Sequence, residues 1–268
     1  MYAFVLHAHQ KIDRVALRHL HKLAEDCHGF PSQREILHFE GNNGPDAPKF
    51  KRTADDQPWH FIDPFNSEDT SLHLIVGDHY DRLVRALRDA DRTRASFEAA
   101  WLAHALVDGM TPAHHYPYEE ELERLRGEPA SSRIGLKGRA LVKGDNARDS
   151  LVRNFQLVGP RGLMTTHTAF EAGAYMVLAP SRLRRGMPSP HDVAELNRRG
   201  VIEYFKHMTR EVGAIGMFDS YLDDGWTPKL ARQVRRELGP RMVMMVTLAW
   251  YAACIDAGLC KRPAASKR

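Results

Sequence analysis

Residues 101–118 read WLAHALVDGMTPAHHYPY, and this stretch decides how the fold is interpreted. Apolar residues recur at helical spacing from Ala95 to Leu106, which predicts a long helix. The helix is expected to begin at Thr93 and to end near Pro112, because proline cannot continue a helix. Helical periodicity of this kind runs through most of the chain, with neither βαβ alternation nor an internal repeat. The sequence therefore predicts an all-α fold.

Size and composition favour one compact domain. The 268 residues suffice for a single multi-helix domain, which we place at residues 1–260, followed by a flexible basic tail over residues 261–268. Hydrophobic residues make up 43% and charged residues 27% of the chain, which excludes a disordered or collagen-like protein. The longest apolar run, 242–254, is shorter than the roughly 18–20 residues of a membrane-spanning helix, so no transmembrane segment is expected. No signal peptide is visible either, which predicts a cytoplasmic protein.

The remaining chain divides into further helices and two long connecting segments. Long helices are predicted over residues 10–27, 164–177, 192–222 and 228–259. Residues 28–66 are expected to form a long loop, because glycine, proline, asparagine and aspartate cluster there. Residues 127–161 are rich in glycine and in basic residues, and they predict either a flexible insertion or a phosphate-facing loop.

Histidine is the residue type that stands out, with 15 in the chain. It is a common metal ligand and the usual acid or base near neutral pH. His104 and His167 are each followed four residues later by a carboxylate, Asp108 and Glu171, so each pair lies on one helix face. Imidazole nitrogen and carboxylate oxygen both suit zinc. A single pair of this kind also arises by chance, and the alternative is a histidine that packs in the core.

Four motifs that contain these pairs occur in a fixed order along the chain. They are His9 with Ile12; Asp46 ahead of His60-Phe61-Ile62-Asp63-Pro64; His104, Asp108, Pro112 and His114; and His167 with Glu171. In this order the set resembles the zinc-dependent phospholipase C and S1/P1 nuclease superfamily, whose members are all-α and bind three zinc ions in a cleft. The resemblance extends from His9 to Glu171, with weaker support from the long C-terminal helix.

The resemblance implies three zinc sites. The first takes Asp46, His60, His104 and Asp108; the second takes His114, His167 and Glu171; the third takes His9, with Asp108 bridging. In the family, the amino and carbonyl groups of an N-terminal tryptophan complete the third site. This sequence begins Met1-Tyr2, so the Met1 amine, His7 or an empty third site are the alternatives, and two to three ions are expected. His115 is an alternative to His114 as the ligand. The spacing from Asp108 favours His114.

The function implied by the resemblance is that of a zinc-dependent phosphodiesterase of the phospholipase C type. Zinc lowers the pKa of bound water from about 15.7 to about 7, and Asp46 is the expected catalytic residue that orients or deprotonates this water. The substrate is a phosphate ester, either a phospholipid head group or a nucleotide, and peripheral membrane contact is an accompanying expectation. The bacterial phospholipases carry an aromatic residue where this chain has Ala47, so specificity for phosphatidylcholine is not implied.

Two alternative functions remain open. The first is a single-strand nuclease or nucleotidase of the same superfamily, which the net charge of +4 favours, although no clear basic and aromatic stacking platform is visible. The second is a repurposed multi-metal helical enzyme or a structural metal-binding domain. The complete ligand set argues against a degenerate domain, because drift would have removed at least one ligand. The oligomeric state is left open.

Overall fold

The protein is described from a computed structural model. The structure describes residues 2–25, 28–40, 43–45, 61–127 and 142–260, without the side chains of residues 2–7, 118 and 119. Within these ranges the regular elements are helices, and no β-strand occurs in them. The predicted all-α fold is confirmed for this part of the chain. The basic tail predicted over residues 261–268 lies outside the described residues.

The described ranges contain twelve α-helices, two 3₁₀ turns and one π-turn. In chain order the α-helices are α1 (Tyr2–Leu23), α2 (Gln33–His38), α3 (Ser71–Arg88), α4 (Arg92–Gly109), α5 (Tyr118–Arg126), α6 (Ala147–Val158), α7 (Leu163–Leu178), α8 (Pro190–Arg199), α9 (Val201–Gly213), α10 (Met217–Asp224), α11 (Pro228–Gln233) and α12 (Gly239–Asp256). The 3₁₀ turns are Pro112–His115 and Arg184–Gly186, and the π-turn is Val234–Leu238.

The two segments predicted as connecting loops each contain a helix. Helix α2 lies within residues 28–66 and starts at a capping box, in which the backbone N–H of Ser32 donates to the Glu35 carboxylate over 2.8 Å. Helix α6 lies within residues 127–161 and is capped by Asn146, whose side chain accepts from the Asp149 backbone N–H. Both helices are short, so caps and tertiary packing define them more than hydrophobic periodicity does.

The predicted helix over residues 192–222 is divided into α8, α9 and α10. The first break is at Gly200, with a φ of 80°, and the second is at Gly216, with a φ of 65°. Residues with side chains rarely adopt these left-handed conformations, so glycine permits the chain to turn at both positions. The three short helices then pack separately around the core.

Helix α12 lies at the centre of the core and packs against α1, α3 and α4. Trp250 is fully buried there, and its Nε1 donates to the carbonyl of Ala99 over 3.1 Å. By length and composition the helical stretch Pro228–Asp256 could span a membrane, but 78% of its apolar window is buried inside the protein. Its apolar residues therefore pack in the core. This agrees with the prediction that the sequence contains no transmembrane segment.

Helix α4 is buried on nearly all sides, which places its polar residues inside the protein. Close packing at its C-terminal end requires glycine. A Cβ at Gly109 would lie 2.4 Å from Cζ of Phe205 on α9, well inside normal contact. The packing of α9 against this end of α4 thus fixes the position of the neighbouring Asp108.

Candidate metal centre

The inner part of the candidate site joins α1 to α4. The rings of His9 and His104 are stacked, with centroids 3.9 Å apart and an angle of 10° between planes. Asp108 lies one turn beyond His104 on α4, with its Oδ2 3.2 Å from His104 Nε2 and its Oδ1 3.4 Å from His9 Nε2. His9 is 5% exposed and His104 is 2% exposed. Ionisable side chains are seldom buried to this degree unless they are paired or bind a metal.

Glu40 completes this part of the site and belongs to none of the motifs that the sequence shows. Its side chain is fully buried, and its Oε1 lies 2.9 Å from His104 Nδ1 and 3.8 Å from His9 Nδ1. Glu40 follows α2, within residues 28–66, for which the sequence predicts a loop. The only sequence signal is an acidic residue after a short capped helix. We call His9, Glu40, His104 and Asp108 the inner group.

A second set of ligands, the outer group, consists of His114, His167 and Glu171. Oε1 of Glu171 lies 3.0 Å from His114 Nε2 and 3.3 Å from His167 Nε2. The two imidazole rings are stacked with centroids 5.0 Å apart, and Phe61 lies against both. His114 comes from the 3₁₀ turn after α4, whereas His167 and Glu171 come from one face of α7.

Asp108 connects the inner group to the outer group. Besides its contacts with His9 and His104, its Oδ1 lies 3.7 Å from Nδ1 of His114. The same His114 nitrogen lies 3.1 Å from the backbone oxygen of Asp108. The two groups therefore form one continuous polar cluster with Asp108 between them.

Hydrogen bonding orients two of the histidines in the way that metal sites require. His104 Nδ1 donates to the Glu40 carboxylate, and His114 Nδ1 donates to the backbone carbonyl of Asp108. In the neutral rings, the lone pair on each Nε2 then faces a carboxylate oxygen, of Asp108 and Glu171 respectively. Two acceptors at 3.0–3.2 Å repel each other unless a proton or a metal ion lies between them or beside them. Metal-binding histidines usually have their other nitrogen fixed in this manner.

The charge balance of the cluster also favours a cation. Burial alone would raise the pKa of Glu171. When Nε2 of His167 and of His114 each carries a proton instead of facing a metal ion, the charge and hydrogen bonds of these rings hold this pKa well below its usual range. Asp13, one turn beyond His9 on α1, is 3% exposed, and neither of its oxygens has a hydrogen-bond partner among the described residues. Burial, and then the nearby Glu40, raise the pKa of Asp13 well above its usual range.

The structure brings together six of the eight predicted ligands: His9, His104, Asp108, His114, His167 and Glu171. Asp46, the expected catalytic residue, and His60 lie outside the described residues, as does Met1, and the His7 side chain is likewise not described. Residues next to His60 do reach the site, since the backbone N–H of Ile62 donates to the His114 carbonyl over 3.0 Å.

His115, the alternative to His114, is engaged elsewhere. Its Nε2 donates to the backbone carbonyl of Gly109 over 2.8 Å. Burial lowers the pKa of His115 to about 4, so the ring is neutral at physiological pH. The geometry therefore places His114, rather than His115, next to His167 and Glu171.

A cavity of about 230 Å³ opens beside the outer group. His167 forms part of its wall, together with Tyr116 and Arg161, and Leu163 and Phe218 contribute apolar surface. Arg161 is exposed, and none of the described residues forms an ion pair with it. The cavity thus presents His167 of the outer group, the Arg161 cation and an apolar wall to the same small volume, and the ion pair between Arg124 and Glu121 also lines it.

Comparison with known proteins adds no assignment. No family model matches this chain, and no curated protein sequence matches it significantly. The resemblance drawn from the ordered motifs stays a prediction.

Proposed function

We propose that the protein is a zinc-dependent phosphoester hydrolase, a phosphodiesterase of the phospholipase C type. The orientation of His104 and His114 carries this proposal. Each ring has Nδ1 fixed by an acceptor and Nε2 directed at a carboxylate of one shared cluster. Nitrogen and carboxylate oxygen in such numbers suit zinc better than magnesium or calcium, which prefer oxygen alone.

The inner group and the outer group would each bind zinc. In the inner group, His9, His104 and Asp108 offer ligand atoms, and Glu40 orients His104. In the outer group, His114, His167 and Glu171 offer a nitrogen, a nitrogen and an oxygen that lie within 4.8 Å of one another. Zinc held at these residues would acidify a water molecule and neutralise phosphate oxygens.

The cavity beside His167 is where we place the substrate. Arg161 would pair with a phosphate oxygen, because guanidinium groups bind phosphate through two parallel hydrogen bonds. The apolar wall at Leu163 and Phe218 would contact the organic group of the ester.

A lipid substrate is favoured over a nucleic acid by the surface next to this cavity. Helix α6 packs against α7, and on its outer side Leu151, Phe155 and Val158 are 71%, 65% and 53% exposed. Arg148 lies on the same face by helical spacing. An exposed apolar face with a basic residue suits contact with an anionic membrane surface, and we propose peripheral membrane contact here.

The experiment measures hydrolysis of bis(p-nitrophenyl) phosphate by the full chain, with and without a chelator. We expect activity that the chelator abolishes and zinc restores. His167→Ala should lower the rate by about 100-fold or more, whereas His191→Ala, a substitution of an exposed histidine on α8, should not. Activity that survives both the chelator and His167→Ala would overturn the proposal.

The substrate class is decided with natural esters under the same conditions. Phospholipid vesicles and single-stranded DNA are offered separately to the metal-replete protein. Release of a phosphorylated head group supports the phospholipase branch, and cleavage of DNA would replace it with the nuclease alternative.

A structural metal-binding domain is the second candidate, and the burial of the inner group favours it. Glu40 and His104 are almost inaccessible, as ligands of closed structural sites are. The outer group is more open, since the side chains of His167 and Glu171 are 16% and 15% exposed. Zinc content together with inactivity on every phosphate ester would support this candidate.

A further inference from the structure

A cleft on another part of the surface concentrates arginine side chains from two separate elements. One element is the turn over residues 180–186 that follows α7, and the other is the π-turn Val234–Leu238 between α11 and α12. The cleft between them has a volume of about 450 Å³, within the range of small-molecule sites. Its arginines are Arg182, Arg184, Arg185, Arg235 and Arg236. We call it the arginine cleft.

These five arginines differ from most others in the described part of the chain. Arg92 pairs with Glu35, Arg153 with Asp149, and Arg198 with Glu195. The five cleft arginines are all exposed, and none of them forms an ion pair or side-chain hydrogen bond with another described residue. No carboxylate lines the cleft among the described residues. Arg185 and Arg236 also border a neighbouring cleft that Glu195, Glu211 and Glu237 line. Within the arginine cleft itself, five like charges repel one another, which favours binding of an anion.

The backbone is constrained so that the two arginine-bearing elements stay together. A Cβ at Gly186 would lie 2.8 Å from the carbonyl oxygen of Pro240, so only glycine permits this close approach. Leu183 has a φ of 50°, a left-handed conformation that costs energy in a residue with a side chain. The π-turn is a second irregularity of a kind that often occurs at functional sites.

A helix dipole explains only part of the cluster. Arg182 and Arg184 follow the C-terminal end of α7, where cations are favoured. Arg235 and Arg236 lie within the continuous helical stretch Pro228–Asp256 and away from its C-terminal end. Their presence in the cleft calls for another explanation, which a bound anion supplies.

We propose that the arginine cleft binds a small organic ligand that carries two or more phosphate groups. One guanidinium group can donate two parallel hydrogen bonds to a phosphate. Five guanidinium groups therefore offer more donors than a single phosphate can accept. The apolar residues Val177, Leu183 and Pro240 line the same cleft and provide a surface for the organic part of the ligand. A soluble polyphosphate ester and the head group of a polyphosphorylated lipid share this chemistry.

The arginine cleft is separate from the metal centre. His167 lies near the start of α7 and Val177 near its end, about 15 Å apart by helical rise. The inference therefore stands independently of the proposed hydrolase activity.

The test is calorimetric titration of the full-length protein with inorganic pyrophosphate and with ADP, at about 50 mM salt. We expect one binding site per chain. The double variant Arg184→Gln/Arg236→Gln should weaken binding by about tenfold or more. The control double variant Arg34→Gln/Arg232→Gln removes the same charge from exposed positions outside the cleft and should change the affinity by less than about twofold.

Several outcomes would overturn the proposal. The first is that neither ligand binds below about 1 mM. The second is that the control variant weakens binding as much as the cleft variant does. The third is that binding survives the cleft substitutions, because the ligand would then bind at the metal centre or elsewhere. Thermal melting checks that each variant is folded. The conservative variant Arg184→Lys/Arg236→Lys keeps the charge and should weaken binding about threefold or more, because the paired geometry is lost.

A second arm identifies the source of the phosphate. Phosphatidylcholine vesicles with and without a phosphatidylinositol bisphosphate are sedimented with the protein and with the cleft variant. Cosedimentation that needs the bisphosphate and is lost in the variant indicates a lipid head group. Binding of ADP without such cosedimentation indicates a soluble ligand.

Discussion

The Glu40 carboxylate accepts a hydrogen bond from Nδ1 of His104 over 2.9 Å, although the two residues are 64 positions apart in the sequence. This contact fixes the ring so that Nε2 faces Asp108, at 3.2 Å from Oδ2. A residue outside the recognised motifs thus orients one inside them. The inner group depends on the packing of α2 against α4 as much as on the i, i+4 pair itself.

Replacement of Glu40 tests this positioning role. Glu40→Gln removes the charge that fixes His104 Nδ1, and we expect zinc affinity to fall about 10- to 100-fold. Competition with a chromogenic chelator measures this affinity. Glu68→Gln, at an exposed position before α3, is the matched control. Unchanged zinc affinity in Glu40→Gln would show that Glu40 does not support the metal centre.

Asp13 should oppose folding of the metal-free protein at neutral pH. Its folded-state pKa is raised above the ordinary value of 3.8 by burial, so the native state holds this proton more tightly than the unfolded chain does. The contribution of Asp13 to stability is therefore most favourable below about pH 4 and is lost as the pH rises from there toward the raised pKa. In chelator, Asp13→Asn should melt a few degrees higher than the wild type at pH 7 and equally at pH 3.5.

The same substitution should weaken zinc binding, because a buried negative charge near the inner group is lost. An Asp13→Asn protein that melts below the wild type at pH 7 in chelator would contradict this account of Asp13.

Glu35 anchors α2, the helix that leads to Glu40. Side-chain hydrogen bonds from Arg92 and Ser32 lower the pKa of Glu35 to about 2. Its contribution to stability is thus present above the unfolded pKa of about 4.5 and is lost as the pH falls toward 2. Glu35→Gln should cost about 1 kcal/mol at pH 7, and this difference should shrink below pH 4.5.

Urea unfolding at several pH values measures the effect. Glu195→Gln, which breaks exposed pairs with Arg198 and Arg199 but no helix cap, should cost less. A Glu35→Gln cost that does not change with pH would contradict the proposed linkage.

Gly109 holds the C-terminal end of α4 against α9. Gly109→Ala places a methyl group 2.4 Å from Phe205 Cζ, so we expect a loss of about 1–3 kcal/mol in stability and weaker zinc binding at the neighbouring Asp108. Gly77→Ala is the control, because its Cβ would meet only Ile202, at an ordinary distance of 3.7 Å. This second substitution should be neutral or stabilising in a helix. Equal destabilisation by both would contradict the packing explanation.

Local spacing made part of this site predictable from the sequence. His104 with Asp108 and His167 with Glu171 could be paired in advance, because four residues span one helical turn. Asp13 follows His9 at the same spacing and could have been found in the same way. Glu40 could not, because its contact with His104 arises only when α2 packs on α4.

The arginine cleft, too, could be predicted only in part. Arg182, Arg184 and Arg185 form a visible cluster in the sequence, where a solvated loop is the ordinary interpretation of a charge run. Their meeting with Arg235 and Arg236 depends on the tertiary contact at Gly186. Arg235 and Arg236 are presented by the π-turn Val234–Leu238. The hydrophobic pattern of the helical stretch around them does not reveal this turn.

The zinc content of the purified protein tests the central claim most directly. Elemental analysis of the full chain should find two to three zinc ions per molecule, and the double variant His104→Ala/His167→Ala should lose them. A wild-type protein that is folded, stable and free of metal after purification with zinc present would contradict the proposed metal centre and the hydrolase function built on it.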